Sequence, residues 1–169
     1  MKCVECGAEM TTHRENYKYG ACGLPGVTLV GVDVSRCRDC GEVEVAIPNI
    51  EGLHRVLAQE VARKRERLTP AEIRYLRKWL GLSGVDFAAH VGVTAETVSR
   101  WEQGATAMGG SAERLLRWFV FTREPVSEYP LNMLKDVAIA QPRPIKVGLR
   151  VEHGHWQAAM ETRALAGIS

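Results

Sequence analysis

The chain has no long hydrophobic run and almost no net charge, and each absence excludes something. No apolar stretch within its 169 residues approaches the roughly 20 that a membrane-spanning helix needs. Met1-Lys2-Cys3 is followed by no apolar segment, so we expect no secretory signal and, with reduced thiols, a cytoplasmic protein. The formal charge is only +2 and is evenly spread, with ten basic and ten acidic side chains in residues 1–68. Net charge therefore gives no support for nucleic-acid binding, and any DNA contact has to use a local basic face. Neither an open metal site nor an activated nucleophile is apparent, so no enzyme is expected. What is present is a chain 46% hydrophobic and long enough for two small domains.

Four of the five cysteines form two identical knuckles, Cys3-x-x-Cys6-Gly7 and Cys37-x-x-Cys40-Gly41. A two-residue gap lets one tight turn deliver two sulfurs to one ion, and two such pairs point to a closed tetrathiolate zinc site with Cys3, Cys6, Cys37 and Cys40 as ligands. The glycine after each pair suits a turn whose amides face sulfur. Disulfides or free thiols are the alternative, and iron competes with zinc because such knuckles also hold mononuclear iron. With every position filled by cysteine the ion stabilises a fold and takes no substrate. Cys22 stands outside the pairs and reads as a small loop side chain. His13 and His54 are not needed as ligands.

Around the knuckles, Met10 to Tyr19 is polar and β-compatible, while Val30, Val32 and Val34 alternate. This predicts a hairpin turning at Gly23-Leu24-Pro25-Gly26. Val43, Val45 and Ile47 make a short strand ended by Pro48, and Asn49 caps a helix with Ile50, Leu53, Leu57 and Val61 on one face. The cluster Arg63-Lys64-Arg65 with Arg67 reads as a solvated helix end or a phosphate contact.

Three helix starts follow in one pattern: Leu68-Thr69 with Glu72-Ile73, Leu82-Ser83 with Asp86-Phe87, and Val93-Thr94 with Thr97-Val98. Each hydroxyl can cap a helix and each apolar pair can staple its entry angle. Glu72 completes a capping box and Pro70 occupies the first helical position. Gly81 and Gly92 stop helices of about 11 and 7 residues, which is the layout of a helix-turn-helix. On the third helix Val98 and Trp101 face inward, and Ala95, Glu96, Ser99, Arg100 and Gln103 form the opposite stripe. Such a stripe suits the major groove; the competing reading is an ordinary solvated face. Ser111 caps a further helix with Leu115, Leu116, Phe119 and Val120 on its apolar face, and Pro125 ends it. Trp118 and Phe121 lie off that face and suggest a dimer contact or simple packing.

The segment Leu82-Ser83 to Gly104, LSGVDFAAHVGVTAETVSRWEQG, resembles the lambda-repressor-like (Cro/CI, or XRE) DNA-binding domain over roughly residues 68 to 122. The resemblance implies base contacts from Ala95, Glu96 and Arg100 and phosphate contacts from Thr94 and Thr97, with Ser99 and Gln103 on the same surface. Arg100 can pair with guanine and Glu96 can accept from cytosine. The resemblance also implies a structural ion pair between Arg77 and Glu102. Gly84 stands where the family often has a side-chain amide on phosphate, so that contact is lost or taken by backbone.

Residues from Pro125 onward hold four of the seven prolines. Gln141-Pro142-Arg143-Pro144 reads as an extended linker, followed by a hairpin of Ile145, Val147, Leu149 and Val151 that turns at Glu152-His153-Gly154-His155. His153 and His155 read as solvated. The expected class is thus α+β: a zinc-binding, β-rich domain with a helix at 1–67, an all-α helix-turn-helix domain at 68–124 and a tail at 125–169 that serves as a hairpin or a dimer arm. Knuckles ahead of a Cro-like domain are similar to the YgiT/MqsA group of antitoxins and regulators. That similarity implies a zinc domain that binds a ribonuclease toxin and a homodimer that represses its own operon at a palindromic operator. The group commonly has asparagine at the place of Glu96, so a different operator is implied. The alternative is a stand-alone regulator whose first domain binds another protein or senses metal or redox state.

Overall fold

The computed structural model describes residues 1–122 and 140–159. Its contacts divide the chain into two compact units, one of Met1–Tyr19, Gly26–Leu53 and the described part of Lys146–Ser169, the other of Gly20–Pro25 and the described part of His54–Ile145. The α+β class is as the sequence indicates. No helix among the described residues is long and apolar enough to cross a membrane.

The first unit is a sheet. Strands β1 (Met10–Lys18) and β2 (Val27–Cys37) pair antiparallel from Met10 against Cys37 to Lys18 against Thr28. Strand β3 (Val43–Val45) pairs with the far end of β2. The hairpin expected in the tail exists as β4 (Val147–Glu152) and β5 (His155–Ala158), turning through His153 and Gly154, both at positive φ. Strand β4 runs parallel to β2, with Val27, Thr28 and Leu29 opposite Val147, Gly148 and Leu149. The last described stretch of the chain thus completes the sheet that its first residues begin. Trp156 is buried, and its indole N–H donates to Pro48 O at 2.7 Å, which fixes the bend after β3.

One expectation fails inside β2. Val27 and Leu29 are buried, and so are Val32 and Val34, but Val30 is not on their face. An extra residue at Gly31 bulges the strand: Gly31 takes φ 63°, its N–H donates to Asn16 Oδ1 at 3.1 Å, and its carbonyl accepts from Arg14 Nε at 2.8 Å. A bulge reverses side-chain parity, so simple alternation through Val30 misassigns it.

Helix α1 (Ile50–Arg63) starts at Asn49, whose Oδ1 accepts from Gly52 N–H at 3.0 Å. Leu53, Leu57, Ala58, Val61 and Ala62 are fully buried, while Ile50, expected on the same face, is 46% exposed because it lies in the first turn. The second unit adds α2 (Pro70–Trp79), α3 (Gly84–Val91), α4 (Ala95–Gln103) and α5 (Gly110–Thr122). Thr69 and Ser83 both head complete capping boxes, with Glu72 and Asp86 reaching back to the cap amide, and Thr94 caps α4. Each cap contributes about 1 kcal/mol. The Ser83 hydroxyl and backbone hold the Asp86 carboxyl below its ordinary value. Helix α5 begins ahead of Ser111, with Gly109 O accepting from Glu113 N–H, so Ser111 is not its cap. The stop at Pro125 lies outside the described residues.

A buried charge network joins these helices and has no signature in the periodicity. Arg117 and Glu113 on α5 are fully buried and paired at 2.7 Å. The Arg117 guanidinium also donates to Ala62 O, Lys64 O and Glu66 O, closing the C-terminal end of α1 as a cap would. Glu113 accepts in addition from Leu68 N–H and Arg67 Nε. Much of the basic cluster is therefore engaged in internal bonds. Lys64 is bound to Glu72 and to Arg143 O, Arg67 to Glu113 and Met108 O, and Arg63 lies over the Phe121 ring. Arg65 alone of the four is exposed. Phe121 is buried and packs within the chain; Trp118 stays 38% exposed. Residues 140–145 form an extended strap, held by Arg67 N–H on Ala140 O and by Ile145 N–H on Glu72 Oε1.

Candidate metal centre and nucleic-acid interface

The two knuckles sit at matching ends of the β1–β2 hairpin. Gly7 N–H donates to Cys3 O and Gly41 N–H to Cys37 O, with both glycines at positive φ (75° and 77°), and Cys3 and Cys37 amides donate to Ala8 O and Glu42 O. The same turn is built twice, and pairing of Met10 with Cys37 brings the two copies face to face. The four Sγ atoms lie within 4.8 Å of one another, with Cys3–Cys40 at 3.5 Å and Cys6–Cys37 at 3.4 Å. Four sulfurs about 2.3 Å from a tetrahedral ion stand about 3.8 Å apart, so the set is compatible with zinc.

The thiols make the same point through their acidity. Backbone amides of Cys40 and Asp39 aim at Cys37 Sγ and pull that thiol down to about 7. At Cys40 the Glu42 amide also lowers, but the neighbouring thiols of Cys3, Cys37 and Cys6 outweigh it and push the value up to about 12. Four thiolates this close cannot coexist without a cation to offset their repulsion. The four cysteines can hold a metal ion, zinc being the fit, and such an ion would cross-link the ends of the hairpin. His13 and His54 take no part: His13 is exposed, and His54 Nδ1 lies 3.1 Å from Tyr75 Oη. Cys22 is half-buried in its loop, and burial raises its thiol above the ordinary value. His153 and His155 are exposed at the hairpin turn.

The second site is the surface of α4. Gly92 ends α3 in the left-handed conformation and Val93 N–H donates to Ala88 O, so the chain turns into α4 within three residues, Gly92 to Thr94. Phe87 and Ala88 from α3 and Val98 and Trp101 from α4 are buried, which sets the rotation of α4 about its axis. Glu102 fixes that rotation further, accepting from Arg77 Nε at 2.5 Å and Nη2 at 3.0 Å in a two-point pair, with Arg74 Nε at 3.3 Å. The Glu102 carboxylate holds the Arg77 guanidinium above its ordinary value. Arg74 is not among the residues expected from the sequence, although its position one turn before Arg77 and Lys78 carries the signal.

With α4 held by its inner face, its outer face is Thr94, Ala95, Glu96, Ser99, Arg100 and Gln103, all exposed, with Thr97 half-buried. Thr97 N–H and hydroxyl are both turned to Thr94 Oγ1, at 3.2 and 3.0 Å. Arg100 Nη2 donates to Glu96 Oε1 at 2.5 Å and Gln103 Nε2 to Ser99 Oγ at 3.0 Å. The face can present donors and acceptors to base edges across about two helical turns.

The Helix-turn-helix family model matches residues 73–117, from the first turn of α2 to the middle of α5. No curated protein and no solved structure matches the chain. Residues 73–117 thus form a helix-turn-helix, which supports a DNA-binding transcription regulator, and the sheet unit has four cysteines placed to hold a metal ion.

Proposed function

We propose that the protein is a homodimeric transcriptional repressor that reads a palindromic operator through α4 and serves as the antitoxin of a type II toxin–antitoxin pair. The observation that carries the DNA-reading part is the exposed outer face of α4, polar at every position but Ala95, while Val98, Trp101 and the Glu102 clamp occupy the inner face. Arg100 and Glu96 read base edges, Thr94 and Thr97 meet phosphate, and Ala95 offers an apolar contact to a thymine methyl. Two copies placed about one helical turn apart block a promoter without any catalysis, so no enzymatic activity is required. The antitoxin part rests on the joint presence of paired knuckles and a Cro-like segment, as in the YgiT/MqsA group. In this reading zinc on Cys3, Cys6, Cys37 and Cys40 is structural, the sheet unit binds a messenger-cleaving ribonuclease, and the protein acts in the cytoplasm.

The test is to express the tagged chain with the genes flanking its own and to challenge the purified material with duplex DNA from its own promoter. Promoter binding with co-purification of a small ribonuclease is expected. Promoter binding without it leaves a stand-alone regulator, and failure to bind any duplex specifically overturns the repressor reading.

A further inference from the structure

The side chains that α4 offers to DNA are already bonded to one another. Glu96 and Arg100 stand one turn apart, acid before base, the favourable order along a helix, and meet at 2.5 Å with 72% and 56% of their side chains exposed. An exposed pair of this kind adds little to stability. The fold does not need it either, since α4 is held from its other face by Val98, Trp101 and Glu102. Its consequence lies in binding. A lone carboxylate at the N-terminal end of a helix that must approach phosphates would be repelled, and Arg100 neutralises it. Glu96 in turn restrains a long side chain that otherwise loses rotamer freedom on docking.

The bond also restricts what the pair can recognise. A guanidinium has five N–H groups in a rigid fork, so one spent on Glu96 Oε1 leaves enough for a two-point contact with guanine O6 and N7. Glu96 Oε2 is an acceptor only. Cytosine presents an N4 donor in the major groove, whereas adenine sets its N7 acceptor beside its N6 donor and disfavours a carboxylate.

Resting on the reading of α4 as the recognition helix, we propose that Glu96 is a positioning residue for Arg100, orienting its guanidinium onto a guanine in each half-site while its second oxygen selects a cytosine amine beside it. Arg100 supplies the guanine contact; Glu96 decides how sharply guanine is preferred.

The test uses the zinc-loaded full-length chain and a pool of random-sequence duplexes, sequenced after selection. The wild type should enrich a half-site with one strong guanine position next to a cytosine, and Arg100→Ala should lose the guanine. Glu96→Ala should shift the thermal unfolding midpoint by no more than a few degrees and bind random duplex as well or better, one negative charge having gone. Its preference for guanine over adenine at the Arg100 position should nevertheless fall about tenfold. Glu96→Gln, which keeps an acceptor for Arg100, should recover part of that preference. A guanine preference untouched by Glu96→Ala overturns this inference alone. A wild-type chain that enriches no motif overturns the recognition-helix reading, and this inference with it.

Discussion

Replacing Arg117 by Met tests the internal wiring of the helical unit. The side chain is fully buried, donates to Ala62 O, Lys64 O and Glu66 O at 2.6–2.9 Å, and pairs with Glu113 at 2.7 Å. Breaking a buried pair from one side costs about 3–5 kcal/mol. Here Glu113 keeps Arg67 and the Leu68 amide, which favours the lower end, while the buried Ala62 O loses a donor at about 1–3 kcal/mol and the part-buried carbonyls of Lys64 and Glu66, just past α1, can take water instead. Arg117 Nε is buried without a hydrogen-bond partner among the described residues, so the native arrangement already carries one cost that Met removes. The balance is a loss of about 3–4 kcal/mol, or a urea midpoint lower by about 1.5–2 M for a slope near 2 kcal/mol/M. Urea unfolding followed by helical circular dichroism reads this directly. Arg117→Met with Glu113→Leu should be more stable than Arg117→Met alone, because no uncompensated carboxylate stays buried. A loss below about 1 kcal/mol for the single variant would refute the capping role given to Arg117.

Other expectations are simpler. Removing metal with a chelator at neutral pH should release one zinc per chain and unfold the sheet unit while α2–α5 stay helical by circular dichroism; a sheet unit unchanged without metal would contradict a structural ion. The four-cysteine site should lose zinc on acidification, because Cys37 regains its proton, and Cys37→Ser should weaken retention at every pH in a competition titration. Gly92→Ala should destabilise by about 1–2 kcal/mol through backbone strain at φ 70° alone, since a Cβ there meets nothing within 4 Å; a neutral result would mean the α3–α4 turn is not held as described.

Much of this molecule is legible from local chemistry. The caps at Thr69, Ser83 and Thr94, the stops at Gly81 and Gly92, and the inward Val98 and Trp101 follow from short-range rules, and they place α4 without reference to the rest of the chain. The cysteine knuckles are equally local, and hairpin pairing brings them together. Long-range features are not legible in this way. No periodicity in β4 says that it will pair in parallel with Val27–Leu29, because that choice depends on what else completes the sheet. The bulge at Gly31 needs Asn16 and Arg14 from the opposing strand, and an isolated glycine gives only a hint. Nothing local in the sequence marks Arg117 for burial, which depends on carbonyls at and just past the end of α1, 51–55 residues away. The Glu96–Arg100 pair, by contrast, is local: acid and base four residues apart on one helix are within reach of each other whatever the rest of the chain does.

The central claim is that α4 reads DNA, and it is tested most directly by the affinity of zinc-loaded Arg100→Ala for a duplex selected by the wild type. Binding to that duplex should weaken by about 1–3 kcal/mol while zinc content and helicity stay at wild-type levels and affinity for random duplex falls much less. Equal affinity of the two proteins for the selected duplex would contradict the claim.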